Sequence, residues 1–333
     1  MNRASIVYGL GTNPYVNLAL EHELLQQVEE DEVILYLWQN AHTVVIGRNQ
    51  NAYKECHVGN LQKDGGHLAR RLSGGGAVYH DMGNLNFTFI MSAKEYDLQK
   101  QMEVIVQAVN TFDITAKQTG RNDITVDGKK FSGNAFYQSG GKAYHHGTLL
   151  IKVNTKAMSR YLQVDEKKIQ SKGIQSVESR VVNLQDLEET ITVERLTVAM
   201  VEAFEKVYGM KANLKAIDAM APSLQKKIEK YGSNEWIFGQ PFAFTWKNHH
   251  RFSWGDLLLE MKIEKEAIAE VRAYSDAMDE QLIRQIPSFL VKRPLNKVQM
   301  EEGLLPIKEK NPQMYQDVLS LLEKESFYKE EIG

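Results

Sequence analysis

The chain has 333 residues, with 40 Lys or Arg against 43 Asp or Glu, and its formal net charge of −3 argues against a general nucleic-acid binder. No apolar run is as long as a membrane span, and the N-terminus lacks the apolar core of a signal peptide. The single cysteine, Cys56, excludes an intramolecular disulfide and favours a reducing compartment. We therefore expect a cytoplasmic protein that binds neither nucleic acid nor membrane.

Helices and short strands are predicted in the first two thirds of the chain. Asn13 followed by Pro14 is typical of a helix start, with Asn as the N-cap and Pro in the first turn. Apolar spacing then predicts strands at 33–38, 43–46 and 85–90 and helices at 102–112 and 193–204. Short strands with few helices between them favour an α+β fold, in which helices cover a mainly antiparallel sheet.

A second, smaller domain is expected towards the C-terminus, since a chain of this length can supply two cores. The polar run 247–251 separates apolar segments, so we place the boundary there and assign residues 1–246 and 252–333 to the two domains. In the smaller domain, alternation at 269–273 predicts a half-exposed strand. Residues 279–291 are predicted to form a helix that Pro287 limits or kinks.

The glycine triplet Gly74–Gly76 follows Arg70 and Arg71 and precedes two apolar residues. Glycine lacks a Cβ and accepts positive φ, so its backbone N–H groups can approach an anion closely. The two arginines add forked donors that suit phosphate or carboxylate. We interpret the segment as an anion cradle for a nucleotide or an acyl phosphate. For the glycines alone, a tight hairpin with incidental arginines is the alternative.

A charged hairpin is predicted around residues 123–135. Asp127–Gly128 is a strong turn signal between a short strand and a return strand that begins near Lys129. Strand alternation sends Lys129 and Lys130 to opposite faces, so one of them should point inward. Asp123, at the strand entrance, could bind a hard cation such as Mg²⁺. An ordinary surface hairpin with a charged tip is the alternative.

A polar loop is predicted at residues 172–180. It carries Lys172, Gly173, Ser176, Ser179 and Arg180. Such a segment could fold over a bound nucleotide, although its composition by itself predicts only a loop.

Six segments taken together resemble the bacterial lipoate–protein ligases of the long, two-domain type. They occur in that family's order and spacing, and they are Trp38–Asn51, Arg70–Asn84, Gly120–Asp123, Lys130–Ala135, His146–Leu150 and Lys172–Arg180. The resemblance implies an α+β catalytic domain similar to that of biotin–protein ligases in residues 1–246. It also implies a small α+β accessory domain in residues 252–333.

The reaction implied by this resemblance has two steps. The carboxylate of lipoate attacks the α-phosphate of ATP, which gives lipoyl-AMP and pyrophosphate. A lysine amine of a lipoyl domain, in a dehydrogenase E2 subunit or the glycine-cleavage H protein, then attacks the mixed anhydride. ATP with Mg²⁺ and lipoate are thus implied as substrates, with no tightly bound prosthetic group. Catalysis should rest on positioned cations and N–H groups more than on a covalent nucleophile.

Residue roles follow from the match of motifs. The resemblance implies that Lys130 is the catalytic residue and bridges the acyl carboxylate and the α-phosphate. The implied nucleotide contacts are Arg71, Gly76, Ala77, Val78, Tyr79, Lys130, Lys172 and Arg180. The implied lipoate contacts are Arg70, Gly74, Gly75, Lys130 and His146. Asp123 is the implied protein ligand of Mg²⁺.

Two other classes of function fit parts of the sequence. Cys56 could be the nucleophile of an ATP-independent octanoyl or lipoyl transferase, but it lies outside the ligand segments. A non-catalytic lipoate-binding paralogue would not need Lys130, Asp123 and the glycine triplet together. His80 and His146 show no metal-ligand spacing, so we expect packing or hydrogen-bonding roles for them.

Overall fold

The computed structural model of this chain describes residues 2–119, 123–163, 181–240, 242–264 and 267–323. Contacts divide the chain into two compact units. The first unit is Met1–Ile46, Ala52–Leu72 and Ala77–Phe238. The second is Gly239–Gly333 together with two short segments, Gly47–Asn51 and Ser73–Gly76.

The first unit combines a large sheet, a small sheet and helices. Its strands are β1 (Arg3–Tyr8), β2 (Glu32–Trp38), β3 (Thr43–Ile46), β4 (His67–Arg70), β5 (Val78–His80), β6 (Asn84–Ser92), β7 (Lys117–Thr119), β8 (Asp123–Val126), β9 (Lys129–Ser139), β10 (Lys142–Leu150) and β11 (Ala212–Leu214). Its helices are α1 (Pro14–Gln27), α2 (Ala52–Glu55), α3 (Val58–Lys63), α4 (Leu98–Asn110), α5 (Thr155–Tyr161), α6 (Leu184–Leu187), α7 (Val193–Tyr208), α8 (Pro222–Gly232) and α9 (Asn234–Phe238). None of the helices in the described ranges is both long and apolar enough to cross a membrane.

The large sheet has the order β11-β1-β2-β6-β10-β9-β8-β7. Its five pairs from β2 to β7 are antiparallel, which confirms the predicted α+β fold with a mainly antiparallel sheet. Strand β1 pairs in parallel with both β2 and β11, and the sequence pattern did not predict either of these pairs. The small sheet has the order β4-β3-β5.

Two local signals behave as predicted. The Asn13 side chain accepts a hydrogen bond from the backbone N–H of Tyr15 at 2.9 Å, and Pro14 occupies the first turn of α1. The hairpin between β8 and β9 turns at Asp127 and Gly128, whose φ angles are 49° and 77°. Both angles are positive, as a tight two-residue hairpin turn requires.

Helices cover both faces of the large sheet. On one face, Phe87 and Phe89 of β6 join an apolar core with Ile105 of α4 and Phe204 of α7. On the other face, α1 and α8 pack over a second core. Because side chains alternate along a strand, the polar Thr88 lies on this second face, between the two phenylalanines of the first. The face beneath α1 therefore carries the polar residues of the candidate site.

The second unit has its own sheet and core. Strands β12 (Trp246–Phe252), β13 (Gly255–Glu264) and β14 (Ala267–Ser275) pair antiparallel, and helices α10 (Glu280–Leu290), α11 (Lys297–Lys310) and α12 (Pro312–Glu323) accompany them. Leu257, Leu259, Ile283, Ile286 and Leu304 are among the residues of its core. The predicted strand at 269–273 and the helix at 279–291 are both confirmed, and Pro287 lies inside α10.

The polar run 247–251, at which the sequence analysis places the boundary, lies within β12. This strand is at the edge of its sheet, and Lys247, His249 and His250 on it are exposed, which explains its polar composition. The contact division instead falls between Phe238 and Gly239.

Candidate functional site

The β8–β9 hairpin brings two predicted site residues together. Lys130 Nζ lies 2.7 Å from Asp123 Oδ1. Lys130 is partly buried whereas Lys129 is exposed, so the alternation expected after the turn is observed. A Cβ on Gly133 would come within 2.9 Å of both Lys130 Cε and Nζ. The glycine therefore leaves the space in which the lysine side chain lies.

The backbone around Lys130 is held on both sides. Its carbonyl accepts a hydrogen bond from the N–H of Val182 at 2.9 Å. On the neighbouring strand, Thr148 Oγ1 accepts from the N–H of Gly133 at 3.3 Å. The lysine stem thus starts from fixed backbone, and its ammonium group can be aimed at a ligand without reordering the strand.

Arg71 is a buried cation of the first unit, 5 % exposed. Its Nη1 donates to the Val45 carbonyl at 3.2 Å, and its backbone N–H donates to the Ile46 carbonyl at 3.1 Å. Burial lowers the pKa of Arg71 to about 10, and Tyr144 and Glu21 partly offset this effect. The guanidinium stays charged at neutral pH, so it supplies a fixed positive charge in a poorly solvated place.

Arg70 lies in a different environment. Its Nε donates to the carbonyls of Trp236 and Ile237, both at 3.0 Å, and Trp236 Nε1 donates back to the Arg70 carbonyl at 2.8 Å. These bonds tie β4 to α9. In the structure, Arg70 thus holds two elements of the fold together, whereas the resemblance implies a lipoate contact.

The glycine triplet belongs to the second unit. The N–H of Gly75 donates to the Ala277 carbonyl at 3.1 Å, and the φ angle of Gly75 is 85°. A Cβ on Gly74 would lie 2.4 Å from the Ala277 carbonyl oxygen. Gly76 is exposed, and a Cβ on it would meet nothing within 4 Å. Close packing thus explains Gly74 and positive φ explains Gly75, while neither explains Gly76.

The three residues after the triplet lead into the first unit's β5, which begins at Val78. Ala77 and Val78 are half-buried against apolar cores, and Tyr79 is buried. The Tyr79 ring packs against His42 and Tyr161, with ring centroids 6.0 and 5.7 Å away. The side chain of Tyr79 is therefore part of the core, and any contact with a nucleotide would come from the backbone.

His146 belongs to a buried polar network beneath α1. Its Nδ1 lies 2.8 Å from Oε1 of Glu21, which also accepts a hydrogen bond from Thr88 Oγ1 at 2.7 Å. Thr88 Oγ1 in turn accepts from Trp38 Nε1 at 3.1 Å. His146 is 7 % exposed and Glu21 is 2 % exposed, so neither side chain is simply solvated. The hydrogen bonds that these groups make to one another offset the cost of burying them.

The sequence analysis did not single out Glu21. The available signal was its place on α1, one turn after Asn17 and among apolar residues such as Leu18, where a carboxylate has no apolar reason to be. Nothing in the chain order indicates that its partner is His146, because the two residues meet only through the packing of α1 on the sheet.

Three further predictions concern reactive groups. Lys172 and Arg180 lie outside the described residues. Cys56 is buried, and burial raises the pKa of its thiol to about 12. Such a thiol is a poor nucleophile at neutral pH. Among the described residues, no group of three or more His, Cys, Asp or Glu side chains could hold a metal ion.

Both units match known family models. The model described as the lipoyl protein ligase A/B catalytic domain matches residues 13–205. The model described as the bacterial lipoate protein ligase C-terminus matches residues 242–322.

Individual proteins are also similar to this chain over most of its length. A lipoate-protein ligase A of Psychrobacter cryohalolentis is 40% identical over 281 residues, which is 82% of this chain and 83% of that protein. The crystal structure of P. falciparum LipL1 in complex with lipoate has a TM-score of 0.85 and 28% identity, and it covers 98% of this chain and 100% of that one. A lipoate-protein ligase A bound with ATP shares the fold, with a TM-score of 0.60 at 23% identity, covering 72% of this chain and 98% of that one.

Proposed function

Because this chain belongs to the lipoate–protein ligase family, we propose that it activates lipoate with ATP and transfers the lipoyl group to a lysine of a lipoyl domain. The observation that carries the proposal is the position of Lys130, whose ammonium group lies 2.7 Å from Asp123 over the space left by Gly133. The following steps give each residue a role that its surroundings support.

In the first step, Lys130 binds the acyl carboxylate and the α-phosphate together. The two anions repel each other, and one ammonium group between them offsets the repulsion as the carboxylate oxygen attacks phosphorus. Asp123 holds the ammonium group in the absence of substrate. Once Lys130 turns to the substrate anions, the Asp123 carboxylate is available to Mg²⁺, which accompanies ATP and is bound in proteins by one or two carboxylates.

Other cations and N–H groups would bind the nucleotide. Arg71 offers a buried guanidinium, and the backbone from Gly76 to Tyr79 offers N–H donors, as the family resemblance implies. Lys172 and Arg180 are proposed as further adenylate contacts on the basis of the sequence. His146 is proposed on the acyl side, and its ring is fixed by Glu21.

In the second step, the acceptor lysine attacks the acyl carbon of lipoyl-AMP and AMP leaves. The lysine amine releases its proton to solvent water, and negative charge develops on the acyl oxygen. This oxygen belongs to the acyl group whose carboxylate Lys130 binds in the first step. The same ammonium group can therefore stabilise its developing charge. We propose lipoyl domains of dehydrogenase E2 subunits and the glycine-cleavage H protein as acceptors.

A transferase that uses Cys56 is the competing proposal. It requires a thiolate, whereas the burial of Cys56 raises its pKa to about 12. A non-catalytic lipoate binder is also a weaker explanation, because a binder gains nothing from holding an ammonium group against a carboxylate at the same site.

Pyrophosphate release tests the proposal. The purified protein is incubated with lipoate, ATP and Mg²⁺ and without acceptor, and we expect one burst of pyrophosphate together with enzyme-bound lipoyl-AMP. Apo-acceptors are then added as a panel and read by intact mass, and acceptors that gain a lipoyl group identify the partners. Lipoyl transfer from a carrier protein without ATP, combined with no pyrophosphate, would assign the protein to the transferase class instead.

A further inference from the structure

A β-bulge lies in strand β9 directly after Lys130. Thr125 of β8 pairs with Lys130, but the preceding residue of β8, Ile124, pairs with Ser132. Phe131 is therefore the extra residue of the bulge, and both Phe131 and Ser132 are fully buried. An extra residue interrupts the alternation of side chains, so that two successive side chains here face the core.

The place of the bulge decides which residue lies beneath the ammonium group of Lys130. After the bulge, Gly133 pairs with Asp123, and a Cβ on Gly133 would come within 2.9 Å of Lys130 Nζ. If the bulge formed one residue later, Ser132 would pair with Asp123 instead. The Ser132 side chain would then take up the space that the glycine leaves to the lysine.

A buried polar group holds the residues that follow the bulge. The Nδ2 of Asn134 donates to Ser132 Oγ at 3.4 Å, and its Oδ1 lies 2.8 Å from Nε2 of His145 on β10. A Cβ on Gly147 would come within 2.8 Å of Asn134 Oδ1, so this glycine leaves space for the amide. The other ring nitrogen of His145 lies 3.0 Å from Gln101 Oε1.

These polar side chains are surrounded by an apolar core. The His145 ring packs against Phe87 and Phe136, with centroids 5.3 and 5.0 Å away, and Asn134 is 5 % exposed. Buried amides and hydroxyls cost free energy unless they are hydrogen-bonded to one another. Ser132 has Asn134 as its partner only while both side chains face the core. The polar group therefore favours the bulge at Phe131 over a bulge one residue later.

We propose that Asn134 is a positioning residue, which fixes the bulge of β9 and thereby the ammonium group of Lys130. The inference deepens the proposed ligase function and rests on it. Asn134 acts from the face of the sheet opposite to Lys130, through Ser132 and Gly133. A displacement of about 1 Å in a catalytic group can lower a rate by about 100-fold, so a moved bulge has a measurable effect.

Asn134→Leu tests the role, because leucine has a similar volume and makes neither hydrogen bond. We expect the rate constant of the pyrophosphate burst to fall by about 10- to 100-fold. The concentrations of lipoate and ATP that give half of the maximal rate should change by less than about threefold, because Lys130 stabilises charge that develops during the attack.

Gln101→Leu is the matched control. It removes a buried amide from the same histidine ring, but Gln101 lies on α4 and not on β9. It should lower the free energy of unfolding as Asn134→Leu does and change the burst rate constant by less than about twofold. An equal fall of the rate in both variants would show that the polar group only stabilises the fold, and it would overturn the proposal.

Rescue by a second substitution separates positioning from loss of stability. In Asn134→Leu, adding Ser132→Gly removes the side chain that turns towards Asp123, so the double variant should regain most of the lost rate. The same Ser132→Gly substitution in the unsubstituted protein should not raise the rate. A purely structural role predicts the opposite, since a second destabilising substitution would lower the rate of Asn134→Leu further.

A crystal structure of Asn134→Leu reads the bulge independently of activity. We expect Ser132, and not Gly133, opposite Asp123. If the unsubstituted protein releases no pyrophosphate from lipoate and ATP, the ligase function itself fails, and this structure still tests the bulge. An unchanged pairing of Asp123 with Gly133 would overturn the inference whatever the activity. Should Asn134→Leu not fold, His145→Leu removes the partner of the amide instead and should show the same fall in rate and the same rescue by Ser132→Gly.

Discussion

Lys130 Nζ and Asp123 Oδ1 lie 2.7 Å apart across the turn of one hairpin. The two side chains are 35% and 39% exposed, so solvent screens their attraction. Ion pairs of this kind contribute about 0–1 kcal/mol to stability. The pair is therefore strong enough to orient the ammonium group and weak enough to be exchanged for a substrate anion.

Lys130→Ala should lower the rate of pyrophosphate release by about 100- to 1,000-fold, the range found when a group that stabilises a developing charge is removed. The fold should persist, because the ion pair it removes is largely solvated. Lys129→Ala is the matched control on the adjacent, exposed position and should change the rate by less than about twofold. A larger loss at Lys129 than at Lys130 would contradict the assignment.

The two neighbouring arginines should separate into binding and folding roles. Arg71→Gln should raise the KM for ATP by at least about tenfold, because it removes a positive charge held in a poorly solvated place. Arg70→Gln breaks the bonds to the Trp236 and Ile237 carbonyls and should lower the free energy of unfolding by about 2–4 kcal/mol. Steady-state kinetics and urea unfolding of both variants test this division. A raised KM for ATP in Arg70→Gln, together with a lowered free energy of unfolding in Arg71→Gln, would contradict it.

Cys56→Ser should retain most of the ligation activity, because a thiol whose pKa is raised to about 12 does not supply a thiolate. The serine hydroxyl in a buried apolar site should lower the free energy of unfolding by about 1–3 kcal/mol. Activity and unfolding are measured on the same preparation. A hydroxylamine-labile acyl adduct on Cys56 of the unsubstituted protein would favour the transferase instead.

Two buried histidines should make the protein lose stability on mild acidification. Burial lowers the pKa of His80 to about 3 and that of His145 well below its ordinary value. In the unfolded chain both titrate near about 6.5, so below that pH the unfolded state binds protons that the folded state does not. Their contribution is therefore complete above about pH 6.5 and decreases below it, by up to about 1.4 kcal/mol per pH unit for each histidine.

Urea unfolding at pH 7.5, 6.5 and 5.5 measures this slope. His145→Gln should reduce this slope by the contribution of one histidine. Substitution of an exposed histidine such as His250 should leave the slope unchanged. A flat profile between pH 7.5 and 5.5 would contradict the prediction, because it would show that these rings take up protons in the folded protein as readily as in the unfolded chain.

The sequence analysis predicted correctly those features of the fold that depend on residues close together in the chain. The Asn13 cap, the Asp127–Gly128 turn and the alternation that separates Lys129 from Lys130 each depend on residues within a few positions of one another. Such features follow from dihedral preferences and strand period, which the sequence carries directly. The β8–β9 hairpin is therefore the part of the candidate site that could be predicted with its geometry.

The remainder of the site depends on packing across long separations in the chain. Glu21 meets His146 only when α1 lies on the sheet, and Nδ1 of His80 lies 3.2 Å from Nδ2 of Asn40, a residue 40 positions earlier in the chain. The polar composition of β12 resembled a linker because an edge strand shows its polar face to solvent. Periodicity does not distinguish these cases, since it reports only which face of an element is buried.

The position of β1 has a consequence for the order in which the protein is made. This strand leaves the ribosome before the other strands of its sheet, yet Ala4 of β1 pairs with Ala212 of β11, so one edge of β1 lacks its partner until more than 200 residues have followed. Helix α1 waits about as long for α8, to which it is joined by the 2.6 Å pair of Glu23 and Lys227. A nascent chain that stops at Glu205, the last residue of the catalytic family match, would expose this parallel edge and the outer face of α1, and we expect it to be a substrate for chaperones and proteases.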